Sequence, residues 1–177
     1  MIDGDAAGHQ VLQILSIKQQ IRKRFGDSVF NEQADVVRAE LGRRIFGSAP
    51  EQSQARADLE EIVHPKIREL FVEQIADARK GNNADAVILD AAVLFEADWH
   101  DLCRRVVFVD APRRVRLARV IQTRGWTERE FHDKELSQLP PQDKCERADF
   151  IVDNSGTIDE AAAQLEQIVS QIIDHRS

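Results

Sequence analysis

Tyrosine is absent from these 177 residues, and the chain has only two tryptophans, eight phenylalanines and one methionine. At 6% aromatic it has too few rings for the interleaved stacking platform of a single-strand nucleic-acid binder. A net charge of −7 argues the same way, because a phosphate backbone seeks a basic surface. The only cysteines, Cys103 and Cys145, lie far apart and form no Cys-x-x-Cys pair. They read as reduced structural thiols of a cytoplasmic protein, not as a disulfide framework. His9, His64, His100 and His132 show no ligand spacing with cysteine or with each other, so no zinc site is expected. No apolar run approaches about 20 residues, the length of a membrane span. The opening residues lack the basic-then-apolar layout of a signal peptide, and no internal repeat or low-complexity tract occurs.

What is present is an alternation of short apolar runs and helical periods. Val87-Ile88-Leu89, Val106-Val107-Phe108-Val109 and Phe150-Ile151-Val152 read as parallel strands covered on both faces. Each is followed by an aspartate: Asp90, Asp110 and Asp153. Ile2, just before Asp3, reads as the stub of a fourth strand. Leu59, Ile62, Ile67, Leu70, Phe71, Ile75 and Ala78 share roughly one helical face that stops at Gly81. Pro65 falls inside that stretch and predicts a joint at His64-Pro65, with a new helix starting there. Pro112 opens a helix through "RRVRLARVIQ". Thr127 with Glu130, and Thr157 with Glu160, each spell a capping box at a helix start. Strand and helix in alternation predict an α/β fold with parallel strands, in one domain over 1–177. The long helical stretch 6–81 reads as a lobe standing off the sheet, a common place for a substrate.

Ligands of parallel sheets bind at the carboxyl ends of the strands. Asp3, Asp5, Asp90, Asp110 and Asp153 all fall at such ends. Several carboxylates on one edge suit a metal or a hydroxyl awaiting deprotonation, but each could instead cap the following helix. Asp110, before Ala111-Pro112, reads as a cap or turn residue. Asp5 has no convincing helix start beside it, which leaves both roles open. Arg113, Arg114, Arg116, Arg119 and Arg124 crowd twelve residues of an acidic chain. A solvated helix face accounts for any single one. Together they suit phosphate oxygens and the charge that develops in phosphoryl transfer, on a lid spanning 113–147. Lys144 and Arg147 would face the same cleft.

With these residues in hand, the sequence resembles the dephospho-coenzyme A kinase family along almost its whole length. The similar stretches run in order: "IDGDAAGHQVL", "LEEIVHPKIRE", "VILDAAVLFEADWHDLCRRVVFVDAP", "RLARVIQTRGW" and "KCERADFIVDNSG". The resemblance implies a three-layer P-loop kinase-like fold with a helical coenzyme A-binding lobe and a lid. It implies transfer of phosphate from ATP, with Mg2+, to the ribose 3′-hydroxyl of dephospho-coenzyme A, the last step of coenzyme A synthesis. Asp5 would accept the hydroxyl proton and Arg119 would stabilise the moving phosphoryl group. Asp3, Asp90 and Glu96 would line the cleft near magnesium or substrate, with Asp90 the metal candidate. His9, Arg38 and His64 would contact the coenzyme A moiety. Arg116, Arg124, Lys144 and Arg147 would serve nucleotide and lid, with Asn154 and Gly156 near the adenine. Neither nucleic acid nor membrane is an expected partner.

One departure is large. The family begins with a strand and a G-x-x-x-x-G-K-[ST] loop whose backbone cradles ATP phosphates, and this sequence has no such stretch. "FGDSVF" and "RRIFGSAP" contain glycine but no Gly-Lys-Ser/Thr. A strand–loop–helix unit of about 30 residues is therefore expected ahead of Met1, its loss explained by a misplaced start. Without it, the inner edges of 87–89 and 106–109 would hold unpaired groups costing about 1–3 kcal/mol each when buried. The 177 residues alone are then expected to be unstable and inactive. An alternative is a non-catalytic remnant that binds coenzyme A derivatives. A remoter one is a phosphatase using Asp3 as nucleophile, although Ala7 stands where that pattern has Thr or Val.

Overall fold

Ile2 is buried, and its N–H donates to the Ile88 carbonyl at 2.7 Å, so the first residues do join a sheet. A computed structural model describes residues 1–47, 49–81 and 85–174. Among them are four strands and eight α-helices. β1 (Ile2–Asp3) pairs in parallel with β2 (Leu89–Asp90), Ile2 opposite Leu89 and Asp3 opposite Asp90. β3 (Val107–Asp110) pairs in parallel with β4 (Phe150–Asp153), from Val107 opposite Phe150 to Asp110 opposite Asp153. The chain divides into two compact units, Met1–Ala97 and Asp98–Ser177.

In the first unit α1 (Gly4–Val11) starts directly off β1 and buries Ala7 and Val11, one turn apart. α2 (Leu15–Phe25) buries Ile17, Ile21 and Phe25 on one stripe and ends at Gly26, whose φ of 79° suits a residue without a Cβ. Lys18 on α2 reaches Asp35 at 2.6 Å, and the Asn31 side chain accepts the Asp35 N–H, fixing the loop that follows. α3 (Arg38–Ile45) buries Leu41 and Ile45. All three helices pack on α4 (Pro50–Gly81), which buries Ala55, Ile67 and Phe71. An Arg24–Asp58 ion pair adds a polar tie between α2 and α4.

α4 corrects the expected joint at His64-Pro65, because the helix runs unbroken through Pro65 for 32 residues. Proline removes one backbone hydrogen bond there. The flanking anchors Ala55, Ile67 and Phe71 keep both halves seated on the same core, so packing overrides the local break. The expected stop at Gly81 is where α4 ends.

In the second unit, the Asp149 carboxylate accepts the Val106 N–H at 2.8 Å and meets Arg105 at 3.4 Å, tying the two strand starts together. α5 (Arg113–Arg124) follows Pro112 and closes on Gly125 in the left-handed region, φ 65°. α6 (Glu128–Glu135) carries the capping box expected at Thr127 and Glu130. α7 (Pro141–Arg147) packs on β3, and α8 (Ile158–Asp174) packs on β4. The Thr157–Glu160 box at the start of α8 is also made in both directions.

The strands are not covered on both faces as their apolar runs predict. Val109 and Ile151 are each 52% exposed, and Ile88 is 46% exposed. Among the described residues each sheet has two strands, so every strand is an edge and the helices on hand cover only part of it.

Candidate functional site

In the first unit the parallel register sets Asp3 and Asp90 side by side at the carboxyl ends of β1 and β2, the edge where such sheets bind ligands. The Asp3 side chain accepts the Ala6 N–H at 3.0 Å and is the N-cap of α1. Asp5 lies in the first turn of the same helix, where free N–H groups favour negative charge. A helix therefore does start beside Asp5, contrary to the sequence expectation. Asp-Gly reads as a turn, and it hid a helix that leaves the strand without any loop. Gly4 makes that exit possible. A Cβ there would sit 2.9 Å from the Asp90 carbonyl oxygen and 3.1 Å from the Ala91 Cβ, so only glycine lets α1 come this close to the end of β2. Sequence reasoning passed over Gly4, although a glycine between two aspartates was the signal.

Among the described residues, the side chains of Asp5 and Asp90 make no hydrogen bond or ion pair. His9, in the last turn of α1, and Arg38, at the start of α3, are exposed and make none either. His64 is half-buried on α4, and that burial lowers its pKa from the usual imidazole value. One turn earlier stands Glu60, whose pKa is raised by burial, opposed by Arg56 and reinforced by the nearby Glu96. Arg56 Nε is 3.9 Å from the Glu60 carboxylate. Arg56, Glu60 and His64 share one face of α4 at i, i+4 spacing. That spacing was visible in the sequence, and Arg56 and Glu60 were missed.

In the second unit the basic segment has divided labour. Arg113 Nε and Arg116 Nη2 each reach a different oxygen of Glu135 at 2.8 Å, and both guanidinium groups lie over the Phe131 ring. Arg116 Nε also donates to the Ala111 carbonyl at 3.1 Å. These arginines hold α5 and α6 together. The Arg124 guanidinium stacks 5.1 Å from the Trp126 ring centre, with Lys134 at 5.0 Å from it. Lys144 is the buried charged residue among the described residues of this unit, and its Nζ donates to the Gln138 side-chain oxygen at 3.1 Å. Gln138 was missed, since a separation of six residues across a Pro-Pro turn carries no periodic signal. Arg147 ends α7 on an exposed position.

Arg119 is brought together with Asn154 and Gly156. Its Nη1 donates to the Asn154 carbonyl at 2.8 Å and its Nη2 to the Gly156 carbonyl at 2.9 Å. Asp153 accepts the Ser155 N–H at 2.8 Å, and its pKa is lowered by the Ser155 hydrogen bonds. Cys103 and Cys145 form no disulfide, and burial, reinforced by nearby carboxylates, pushes both thiols up.

Comparison with known proteins gives a consistent result. The dephospho-CoA kinase family profile, CoaE, matches residues 1–160. A dephospho-CoA kinase of Latilactobacillus sakei is 33% identical over 178 residues, covering 100% of this chain and 85% of the relative. One of Corynebacterium diphtheriae is 32% identical over 160 residues, covering 90% and 78%. A crystal structure of TT1252 from Thermus thermophilus superposes with a TM-score of 0.74 at 26% identity, covering 96% of this chain and 83% of that one.

Proposed function

The chain belongs to the dephospho-CoA kinase family, and from that premise we propose that it moves a phosphoryl group from ATP to the ribose 3′-hydroxyl of dephospho-coenzyme A. It is a transferase of the kinase class. The observation that carries this reading is the family match over residues 1–160. The paired strand ends of β1 and β2 support it, because they gather carboxylates where a parallel sheet receives its ligand.

Asp5 is the general base in this reading. Its carboxylate has no competing hydrogen bond among the described residues, so it is available to a ribose hydroxyl. Arg119 spends two of its five donors on carbonyls, and the remaining three can meet phosphoryl oxygens. His9, Arg38, His64 and Glu96 serve the coenzyme A moiety. Arg116, Arg124, Lys144 and Arg147 shape the lid, and Asn154 and Gly156 form the base end of the ATP site. Magnesium fits the oxygen-only donors Asp3 and Asp90, since it is ordinarily held by one or two carboxylates plus phosphates and waters. When bound it supplies charge neutralisation to the phosphates. Positioning and electrostatics, not covalent chemistry, are then what the protein contributes. We place the reaction in the cytoplasm, where free thiols persist. No described helix is long and apolar enough to cross a membrane.

The second reading, in which the chain binds coenzyme A derivatives without ATP turnover, is separated from the first by experiment. The deciding assay measures ADP release and 3′-phosphorylation of dephospho-coenzyme A. It is run on the chain alone and with a relative's strand–loop–helix joined ahead of it. Turnover that falls with Asp5→Asn supports the kinase reading. Binding of dephospho-coenzyme A without turnover in either form supports the second, and loss of both binding and turnover rejects the two together.

A further inference from the structure

The loop between β4 and α8 is fixed more completely than a surface turn requires. Asp153 N–H donates to the Gln164 side-chain oxygen at 3.0 Å, and Gln164 Nε2 returns a bond to the Asp153 carbonyl at 3.0 Å. Asn154 N–H donates to the Asp110 carbonyl at 2.7 Å. Ser155 N–H goes to Asp153, and Thr157 N–H to Glu160 at 2.8 Å. The carbonyls of Asn154 and Gly156 are then held by one guanidinium, that of Arg119, reaching across from α5. A planar fork normally matches the two oxygens of a carboxylate or phosphate. Here two carbonyls, two residues apart, imitate that geometry, and both must turn toward α5 to do so.

What the loop leaves over is the Asn154 side chain. It is half-buried and makes no hydrogen bond among the described residues. Its amide offers an acceptor beside a donor, the complement of an adenine edge, which asparagine can engage in two hydrogen bonds at once. We propose that Arg119 is a positioning residue, whose fork on the Asn154 and Gly156 carbonyls sets the loop so that the Asn154 amide meets the adenine edge. This role is separate from any contact of the guanidinium with phosphate. It rests on the reading above, in which this loop is the base end of the ATP site.

The test uses the 177-residue chain, its Arg119→Lys, Arg119→Ala and Asn154→Ala variants, and adenosine as the probe. Adenosine carries no phosphate, so it is blind to a phosphoryl contact. Amide exchange at Ser155, Gly156 and Thr157 is expected to rise about tenfold or more in both Arg119 variants as the local opening becomes easier, with α4 amides unchanged. Adenosine affinity is expected to fall about tenfold in both, and Asn154→Ala to lose the preference for adenosine over guanosine. Lysine keeps the charge but lacks the planar fork that holds the two carbonyls in fixed geometry, so full rescue by Arg119→Lys overturns the proposal. Unchanged exchange overturns the clamp, and faster exchange with unchanged adenosine affinity overturns its link to the base. If the wild-type chain binds no adenosine, the base seat is wrong. Phosphorylation of dephospho-coenzyme A is measured separately and stands or falls on its own.

Discussion

Helix α1 contains two glycines four residues apart, and replacing each by alanine gives opposite expectations. Alanine is better than glycine by about 1 kcal/mol in a helix interior. Nothing lies within 4 Å of a Cβ built on Gly8, so Gly8→Ala collects most of that gain, about 0.5–1 kcal/mol. At Gly4 the new Cβ meets the Asp90 carbonyl oxygen at 2.9 Å, the Ala91 Cβ at 3.1 Å and the Ala91 Cα at 3.3 Å. Carbon and carbonyl oxygen come into ordinary contact at about 3.3 Å or more. The overlap is with backbone that the β1–β2 ladder holds in place, so no flexible side chain can swing aside. Overpacking of this kind costs about 1–3 kcal/mol, and the first helical position returns little propensity. Gly4→Ala is therefore expected to destabilise by about 1–2 kcal/mol. At about 2–4 °C per kcal/mol for a chain of this length, the two variants should melt roughly 3–12 °C apart. Circular dichroism measures the melt. Amide exchange in α1 and β2 reads the change locally, because two units need not unfold in one step. A Gly4→Ala protein as stable as Gly8→Ala would refute the close approach of α1 to the end of β2.

Five further outcomes follow from the structure. Asp5→Asn should lower dephospho-coenzyme A phosphorylation by about 10²–10⁴-fold. Asp3→Asn should leave stability within about 0.5 kcal/mol, since asparagine caps a helix as well as aspartate does; a phosphate-releasing activity lost only in Asp3→Asn would instead revive the aspartyl-phosphatase alternative. Glu135→Gln removes the shared anchor of Arg113 and Arg116, so it should lower the denaturant midpoint modestly, with the loss shrinking in high salt. Glu60 has its pKa raised by burial, so the folded state favours its protonated form. The stability this brings is present below the ordinary pKa of 4.5 and is lost as pH rises through the folded value. Glu60→Gln should accordingly stabilise the protein at pH 7 and lose that advantage on acidification. His64 runs the other way. Its lowered pKa keeps the ring neutral in the fold, so its contribution fades as pH falls below the ordinary value of 6.5. His64→Gln should flatten that part of a stability–pH curve.

The elements with explicit chemical punctuation were legible in the sequence. Thr127–Glu130 and Thr157–Glu160 announced two helices, and both boxes form. The aspartates closing the apolar runs marked the strand ends, and in the structure Asp90, Asp110 and Asp153 are the last residues of β2, β3 and β4. Elements decided by packing were not legible. Pro65 signals a break to any local rule, yet Ile67 and Phe71 beyond it are buried in the same core as Ala55 before it. Val109 and Ile151 belong to runs that spell buried strands, but burial depends on neighbours that a run does not name. In the site, the arginine cluster was visible as composition. Its division into an inter-helix tie through Glu135, a ring stack on Trp126 and a loop fork through Arg119 depends on partners 19 to 37 residues away in the chain and on one, Trp126, close by.

The strand-end aspartates looked alike in sequence, and backbone geometry separates them. A carboxylate at such an end meets either the N–H groups of the following turn or whatever lies beyond the sheet. Asp3 and Asp153 are taken by the first, through the Ala6 and Ser155 N–H groups. Asp5 and Asp90 are not. The capped residue still matters to the free one. Asp3 fixes where α1 begins, Gly4 lets that beginning press against Asp90 and Ala91, and Asp5 is thereby carried on a rigid first turn at the end of β1. In the function proposed above, capping and chemistry are successive steps in one short segment, Asp3-Gly4-Asp5, in which the capping aspartate aims the proposed base, Asp5. A base held this way needs no loop to order around it before a hydroxyl arrives, which is what a phosphoryl transfer dominated by positioning asks of it.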